Sequence, residues 1–409
     1  MHGAMKIKPF QGLRPQNQNV DQVASLPYDV VSTQEARELA AGNPHSFLHV
    51  VRAEIDLPEG TDPYDDSVYE KARENFQRLQ QEGHLVREQE PCMYLYRQEW
   101  RGLVQEGIAT TCHIGEYEND TIKKHEKTRV QKENDRLKLN QTLQAHPGPV
   151  FLTYREDASI EELMEQVKKE APLFDFAADD GVKHTVWSIP QGHAFVDAFA
   201  HVPAAYVADG HHRAASAWRL GKEKRENNPE HHGDEPYNWF LAVLFPANKL
   251  NILPYNRIVK DFNGLSPEEF LEGVKKVCTV YENNASEPEK PGQICMFIKD
   301  RWFGLERPEP DTDDPVSRLD VAFLQSQILS PILNIQDPRT SDRVDFVGGI
   351  RGTEALEQHV QSGEWAAAFS LYPVTVDQLM DISDANEIMP PKSTWFEPKL
   401  RSGLFIHTV

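Results

Sequence analysis

The stretch Val207-Ala208-Asp209-Gly210-His211-His212-Arg213-Ala214-Ala215-Ser216-Ala217-Trp218 decides how the chain folds around its polar chemistry. Residues 204–208 are apolar and read as a strand. Gly210 then supplies a tight turn, and the alanine-rich run behind Arg213 reads as a helix. A strand, a glycine and a helix start in succession bring backbone N–H groups, two imidazoles and a guanidinium into one small volume. That is the composition of an anion site. Within it Asp209 has three open roles: holding a metal ion, orienting an imidazole, or accepting a proton.

Outward from this turn the pattern is mixed α/β. Ser32-Thr33-Gln34-Glu35 forms a capping box, with Gly42 closing the helix. Val68, Ala72, Phe76 and Leu79 mark one face of a second helix ending at Gly83. Residues 93–100 and 103–114 read as a hairpin turning at Arg101-Gly102. Ser159 with Glu162 suggests a further capping box. Strands are expected at 149–154, 185–189, 204–208, 239–245 and 252–259. Ser266, Pro267 and Glu269 open a helix, and residues 294–298 and 302–305 form a second hairpin at Lys299-Asp300. The acidic, proline-rich run 306–315 reads as a solvated loop, and Gly348-Gly349 as a tight turn. The expected division is an N-terminal α/β region, 5–262, and a C-terminal α/β region, 263–409, packing on it.

Composition narrows the function. With 409 residues, 39% of them hydrophobic and 26% charged, the chain suffices for two domains of an ordinary folded protein. No apolar run is long enough to span a membrane, and Met1-His2-Gly3 begins no secretory signal; Met5 is the expected natural start, in the cytoplasm. A net charge of −21 disfavours a nucleic-acid or anionic-membrane surface, but not a small anion in a local basic pocket. Cys92, Cys112, Cys278 and Cys295 are widely spaced, contain no CxxC pair and read as buried hydrophobes.

Two further segments hold more polar chemistry than folding needs. In Ile122-Lys123-Lys124-His125-Glu126-Lys127-Thr128-Arg129, followed by Lys132 and Asp135-Arg136-Leu137, basic groups surround Glu126. Arg129 occupies the place of the second histidine of an HExxH motif, which excludes a zincin. Glu126 is a candidate base or magnesium ligand, with His125, Thr128 and Arg136 as phosphate contacts. Met389-Pro390-Pro391-Lys392-Ser393-Thr394-Trp395-Phe396-Glu397-Pro398-Lys399 lacks the glycines of a P-loop, yet its prolines would present Lys392, Ser393 and Thr394 rigidly. His231-His232 lies in a polar stretch and reads as exposed loop.

These segments, with Pro27-Tyr28-Asp29-Val30, occur in the order seen in the domain of unknown function 1015 family, which the chain resembles over nearly its whole length. The Asp209–Arg213 motif is also similar to that of the ParB/sulfiredoxin-like superfamily, including its free-serine kinases. That resemblance implies a ParB/sulfiredoxin-like core with N- and C-terminal elaborations. It implies Asp209 and His211 as catalytic groups, with Glu126 as a base. Gly210, His212 and Arg213 would hold the phosphates of ATP or ADP, and Asp209 or Glu126 would hold Mg2+. The chain is longer than those kinases. The leading expectation is a small-molecule phosphotransferase acting on a hydroxylated metabolite such as serine. A non-catalytic nucleotide-binding regulator, and a metal-dependent hydrolase using His211, His212 and Asp209, are the alternatives.

Overall fold

The computed structural model describes residues 4–282 and 285–409; Met1-His2-Gly3 lie outside them. Among the described residues no helix is long and apolar enough to cross a membrane. The chain forms two compact units. The first comprises residues up to Lys124, Thr128–Leu250 and Pro398–Val409; the second comprises His125–Lys127 and Asn251–Glu397.

The first unit is built on a nine-stranded mixed sheet. In chain order its strands are β1 (Ile7–Lys8), β2 (Cys92–Trp100), β3 (Leu103–His113), β4 (Ile122–Lys123), β5 (Val150–Tyr154), β6 (Phe174–Ala177), β7 (Lys183–Pro190), β8 (Ala205–Asp209) and β9 (Trp239–Pro246). They lie in the order β4-β8-β5-β9-β3-β2-β7-β6, with β1 on β3. The pairs β8–β4 and β9–β5 are parallel and the rest antiparallel. The β2–β3 hairpin turns at Arg101-Gly102, both at positive φ, as its sequence requires. Strands β5, β8 and β9 are buried almost throughout, which matches their continuous apolar runs.

Helices α1 (Thr33–Ala40), α2 (Asp66–Gln81), α3 (Val130–Leu143), α4 (Ala158–Val167), α5 (His193–Phe199) and α6 (His211–Asn227) complete this unit's longer elements. The Ser32–Glu35 capping box is formed in full. The box expected at Ser159 is replaced: α4 begins earlier, and the Asp157 carboxylate accepts from the N–H groups of both Ser159 and Ile160. A charged oxygen in the positive field of a helix start is the stronger cap. A cluster containing Phe47, Phe76, Leu79 and Leu143 packs α2 and α3 together, while Leu152, Val207, Phe240 and Leu244 lie in the sheet's own core.

The second unit carries a six-stranded, wholly antiparallel sheet. Its strands are β10 (Tyr255–Val259), β11 (Thr279–Glu282), β12 (Gln293–Ile298), β13 (Arg301–Glu306), β14 (Val344–Gly348) and β15 (Ala367–Leu371), ordered β11-β13-β12-β15-β10-β14. The strand expected over 252–259 is split at Pro254. Proline has no N–H for a ladder, so Ile252–Leu253 pairs instead with Trp395–Phe396 while β10 joins the six-stranded sheet. The Pro254 carbonyl then accepts from Gly349 N at 2.8 Å. Helix α7 (Pro267–Lys275) opens with the expected capping box at Ser266 and Glu269.

The C-terminal residues return to the first unit, where His407–Thr408 pairs with Ala145–His146. His407 Nε2 bonds the Pro236 carbonyl at 3.0 Å. Burial pushes the His407 imidazole down to about 4, and His146 and His184 are likewise held well below their ordinary value by burial. The unfolded chain protonates His407 near pH 6.5, so between pH 6.5 and 4 the unfolded state binds the extra proton and stability falls as pH falls. We expect His407 to contribute a loss of about 3 kcal/mol over that window. Urea midpoints of the wild type should drop more steeply from pH 7 to 4 than those of His407→Gln; identical slopes would refute this.

Candidate functional site

Strand β8 does not run straight into the turn at its end. Its register with β5 shifts between Val207 and Asp209, which pair with Leu152 and Phe151, so Ala208 is an extra residue in the ladder. Such a bulge re-aims the side chain that follows it. Gly210 then takes φ +88° and caps α6, and no side chain closes that helix start. A Cβ at Gly210 would stand 2.9 Å from Arg213 Nε and 3.0 Å from its Cζ, because the guanidinium folds back over the turn. The positive φ calls for glycine here, and a side chain would also push the guanidinium off the turn.

The turn draws its cations from distant sequence. Arg213 Nη2 lies 3.5 Å from Asp209 Oδ2, and Lys399 Nζ approaches the same oxygen at 3.4 Å. Lys399 is only 6% exposed. Two buried glutamines of the β2–β3 hairpin hold it there: Gln98 donates to the Lys399 carbonyl at 2.9 Å, and Gln105 to the Pro398 carbonyl at 3.2 Å. Arg213 Nη1 donates to the Pro149 carbonyl, while its buried Nε has no hydrogen-bond partner among the described residues.

Behind Arg213 stands a second, tighter charge system. Arg136 gives two hydrogen bonds to one oxygen of Asp135, at 2.7 and 3.0 Å, and Tyr69 donates to the other at 2.7 Å. The Arg136 guanidinium also lies 3.8 Å from the centre of the Tyr28 ring. Burial first, then the bond to Asp135, keeps the Tyr69 hydroxyl well above the ordinary phenol range. Burial and Asp29 do the same to Tyr28, against the pull of Arg136 and Arg213. Tyr28, Arg136, Asn140, His146, Arg213 and Ser402 line a small cavity of about 20 Å³, room for about one water molecule. His146 is neutral there, and neither ring nitrogen has a partner among the described residues.

The other expected site residues divide between the two units. His211 is buried at the first position of α6. His212 Nε2 accepts from the backbone N–H of Arg129 at 3.0 Å, tying its ring to the start of α3. Thr128 donates to Glu133 at 2.8 Å on that same helix. His125 and Glu126 belong to the second unit, where the His125 carbonyl accepts from Met389 N. Lys392, Ser393 and Thr394 lie there too. Lys392 is exposed, with φ +55° and Nζ 5.6 Å from the Tyr255 ring, and the Ser393 hydroxyl donates to the Pro390 carbonyl at 2.6 Å. Ser393 and Tyr255 border a cavity of about 550 Å³ in that unit. The structure thus gathers Asp209, Gly210, Arg213 and Arg136. It adds Lys399, Tyr28, Asp135 and His146, which sequence reasoning did not single out as site residues. Lys399, Tyr28 and Asp135 did lie inside quoted motifs; no signal pointed to His146.

Residues 7–322 match the model of a family described as a protein of unknown function, DUF1015. The chain belongs to this family. No curated protein matches this DUF1015 chain. Among solved structures it is similar to a free serine kinase in complex with AMP, at 13% identity over 71% of this chain and 86% of that one, TM-score 0.37. It is also similar to a conserved hypothetical protein from Pyrococcus furiosus, at 14% identity over 72% and 93%, TM-score 0.37. A third is SbnI with a C-terminal truncation from Staphylococcus aureus, at 11% identity over 72% and 85%, TM-score 0.39.

The Arg136–Asp135 pair yields a direct test. Asp135→Asn removes the charge that compensates a buried guanidinium, and should cost about 3–5 kcal/mol of stability. Asp135→Ala combined with Arg136→Met should recover much of that loss. A single-variant loss below about 1 kcal/mol in urea titration would show the pair to be dispensable.

Proposed function

We propose that the Asp209–Arg213 turn binds the phosphates of a nucleotide and that the protein is a small-molecule phosphotransferase. The observation that carries this reading is the loose sharing of Asp209 Oδ2 by Arg213 and Lys399, at 3.5 and 3.4 Å, beside a helix start that no side chain caps. Charge-assisted bonds at their optimum are about 2.7–2.9 Å. Two cations held beyond that distance are placed to move onto a better anion. Phosphate oxygens on the N-terminus of α6 are such an anion.

In this reading Arg213 and Lys399 neutralise charge on the moving phosphoryl group, and positioning with electrostatics does most of the catalysis. Once the cations turn to phosphate, the Asp209 carboxylate is released. The bond between the γ-phosphorus and the departing ADP oxygen breaks, a bond to the acceptor hydroxyl oxygen forms, and the hydroxyl proton passes to Asp209. A carboxylate released in this way would also be able to hold Mg2+. Bound Mg2+ would supply further charge neutralisation. Arg136, locked onto Asp135 and Tyr28, acts as a fixed support rather than a mobile ligand.

Purified protein should show a thermal shift with ADP or ATP plus Mg2+, and Arg213→Ala should weaken that binding about 10- to 100-fold. With ATP or ADP and free serine or another small hydroxylated acceptor, ³¹P NMR should reveal a new phosphate ester. Asp209→Asn should keep nucleotide affinity within a few-fold while turnover falls at least about 100-fold. Absence of any nucleotide-dependent shift would defeat the reading. Binding without an ester from any acceptor would convert the protein to a nucleotide-binding regulator.

A further inference from the structure

We propose that His45, Glu82 and His84 form a binding site for a borderline transition-metal ion of the Zn2+ class, separate from the phosphate turn and independent of its reading. Each residue offers one ligand atom, and these atoms all lie within 4.8 Å of one another. Ligands around a tetrahedral Zn2+ at about 2.0–2.1 Å stand about 3.3 Å apart. Small rotations of side chains at the surface close that gap.

The backbone presents all three residues firmly. Helix α2 ends in a left-handed glycine, Gly83 at φ +77°, with Glu82 and His84 on either side of it. The His84 N–H reaches back to the Leu79 carbonyl at 2.9 Å and the Glu82 N–H to Arg78 at 2.9 Å, which is how such a helix end is closed. His45 comes from the loop after Asn43-Pro44. There the Asn43 side chain accepts from the His45 N–H at 3.1 Å and donates to the Gln22 carbonyl at 2.8 Å. Arg78 bridges the two segments, donating to the Pro44 carbonyl at 2.7 Å and to Glu82 Oε2 at 3.1 Å. Among the described residues Glu82 Oε1 accepts no hydrogen bond, the Arg78 and His84 contacts both falling on Oε2.

The side-chain chemistry fits an ion better than it fits packing. The two imidazole rings lie 3.8 Å apart between centres, tilted by 39°, and His84 Nε2 faces Glu82 at 3.6 Å. His84 Nδ1 is 2.8 Å from the Asn19 side-chain amide. As placed, Asn19 Nδ2 donates to Nδ1; metal binding would turn this amide so that its oxygen accepts from Nδ1–H and the Nε2 lone pair points at the cluster, the arrangement that second-shell partners impose on metal-binding histidines. His45 Nδ1 is buried with no hydrogen-bond partner among the described residues. Two imidazoles and one carboxylate select Zn2+, Co2+, Ni2+ or Cu2+ over Mg2+ or Ca2+. Three protein ligands leave the fourth position to water.

Metal-stripped full-length protein should be titrated with Zn2+ and with Co2+. We expect one equivalent per chain, visible Co2+ bands of a low-coordinate site, a raised Tm, and no displacement by excess Mg2+. His45→Ala and His84→Ala should each abolish the stoichiometric uptake. Asn19→Ala should weaken it by about tenfold or more. Glu82→Gln, which keeps an oxygen for Arg78, is the conservative variant should the alanine changes unfold the loop, and it too should weaken uptake. His231→Ala/His232→Ala should have no effect. The proposal is overturned if the wild type takes up no equivalent, or if its uptake disappears only with the His231/His232 pair. Loss of nucleotide binding in Arg213→Ala should leave Zn2+ uptake intact, so the two proposals fail separately.

Discussion

Cations buried in the first unit must be answered by anions or carbonyl groups, and that requirement shapes its polar interior. Arg136, Arg213, Lys399 and Arg401 are all at most intermediate in exposure, in a chain whose net charge of −21 is carried elsewhere. Taking such groups out of water costs several kcal/mol each unless they are paired. The fold meets the cost with scattered partners: Asp135 for Arg136, Asp209 for Arg213 and Lys399, Asp180 for Arg401. Those partners come from a helix, a strand end and a loop, so the charge pairing ties together elements that are remote in sequence.

The tie is directional. Lys399 is held by Gln98 and Gln105, which are buried on adjacent strands and bonded to each other at 2.8 Å. A buried glutamine must satisfy its amide, and these two do so on the backbone of the C-terminal segment. The same segment ends in His407–Thr408 on the Ala145–His146 strand, and Gly403 N donates to the Pro147 carbonyl at 3.1 Å. The loop that receives Arg213 at Pro149 is therefore braced by the chain end.

Much of this was legible where chemistry and conformation are local. The strand, glycine and helix around Asp209 follow from apolar continuity, a residue that tolerates positive φ, and helix formers behind it. The capping boxes at Ser32 and Ser266 and the hairpins at Arg101-Gly102 and Lys299-Asp300 follow from spacing alone. What escaped was decided by competition or by distance. Asp157 outcompeted Ser159 as a cap, and Pro254 broke a run that otherwise reads as one strand. The bulge at Ala208 has no marker in the sequence, since alanine suits either register. Lys399 reaches Asp209 across 190 positions, a separation no periodicity reports. The shape of the segment around Lys392 is set not by its prolines alone but also by Arg257, which is buried and donates to the Pro391 and Lys392 carbonyls at 2.8 and 2.7 Å.

The two aspartate–arginine systems of the first unit also differ in kind. Asp135 and Arg136 meet through two bonds on one oxygen, with a tyrosine on the other and an aromatic ring beneath the guanidinium, so both carboxylate oxygens are committed. Asp209 meets Arg213 and Lys399 at distances where each contact is weak, although all three groups are substantially buried. Weak pairing of buried charges is unfavourable unless another partner repays it. The backbone holds the arrangement all the same: a bulge aims Asp209, a left-handed glycine makes room for Arg213, and two glutamines fix Lys399. In a phosphotransferase of the kind proposed, an incoming phosphate gains more from Arg213 and Lys399 than the resident carboxylate does. Under the proposed function, that difference is the driving force for phosphate binding.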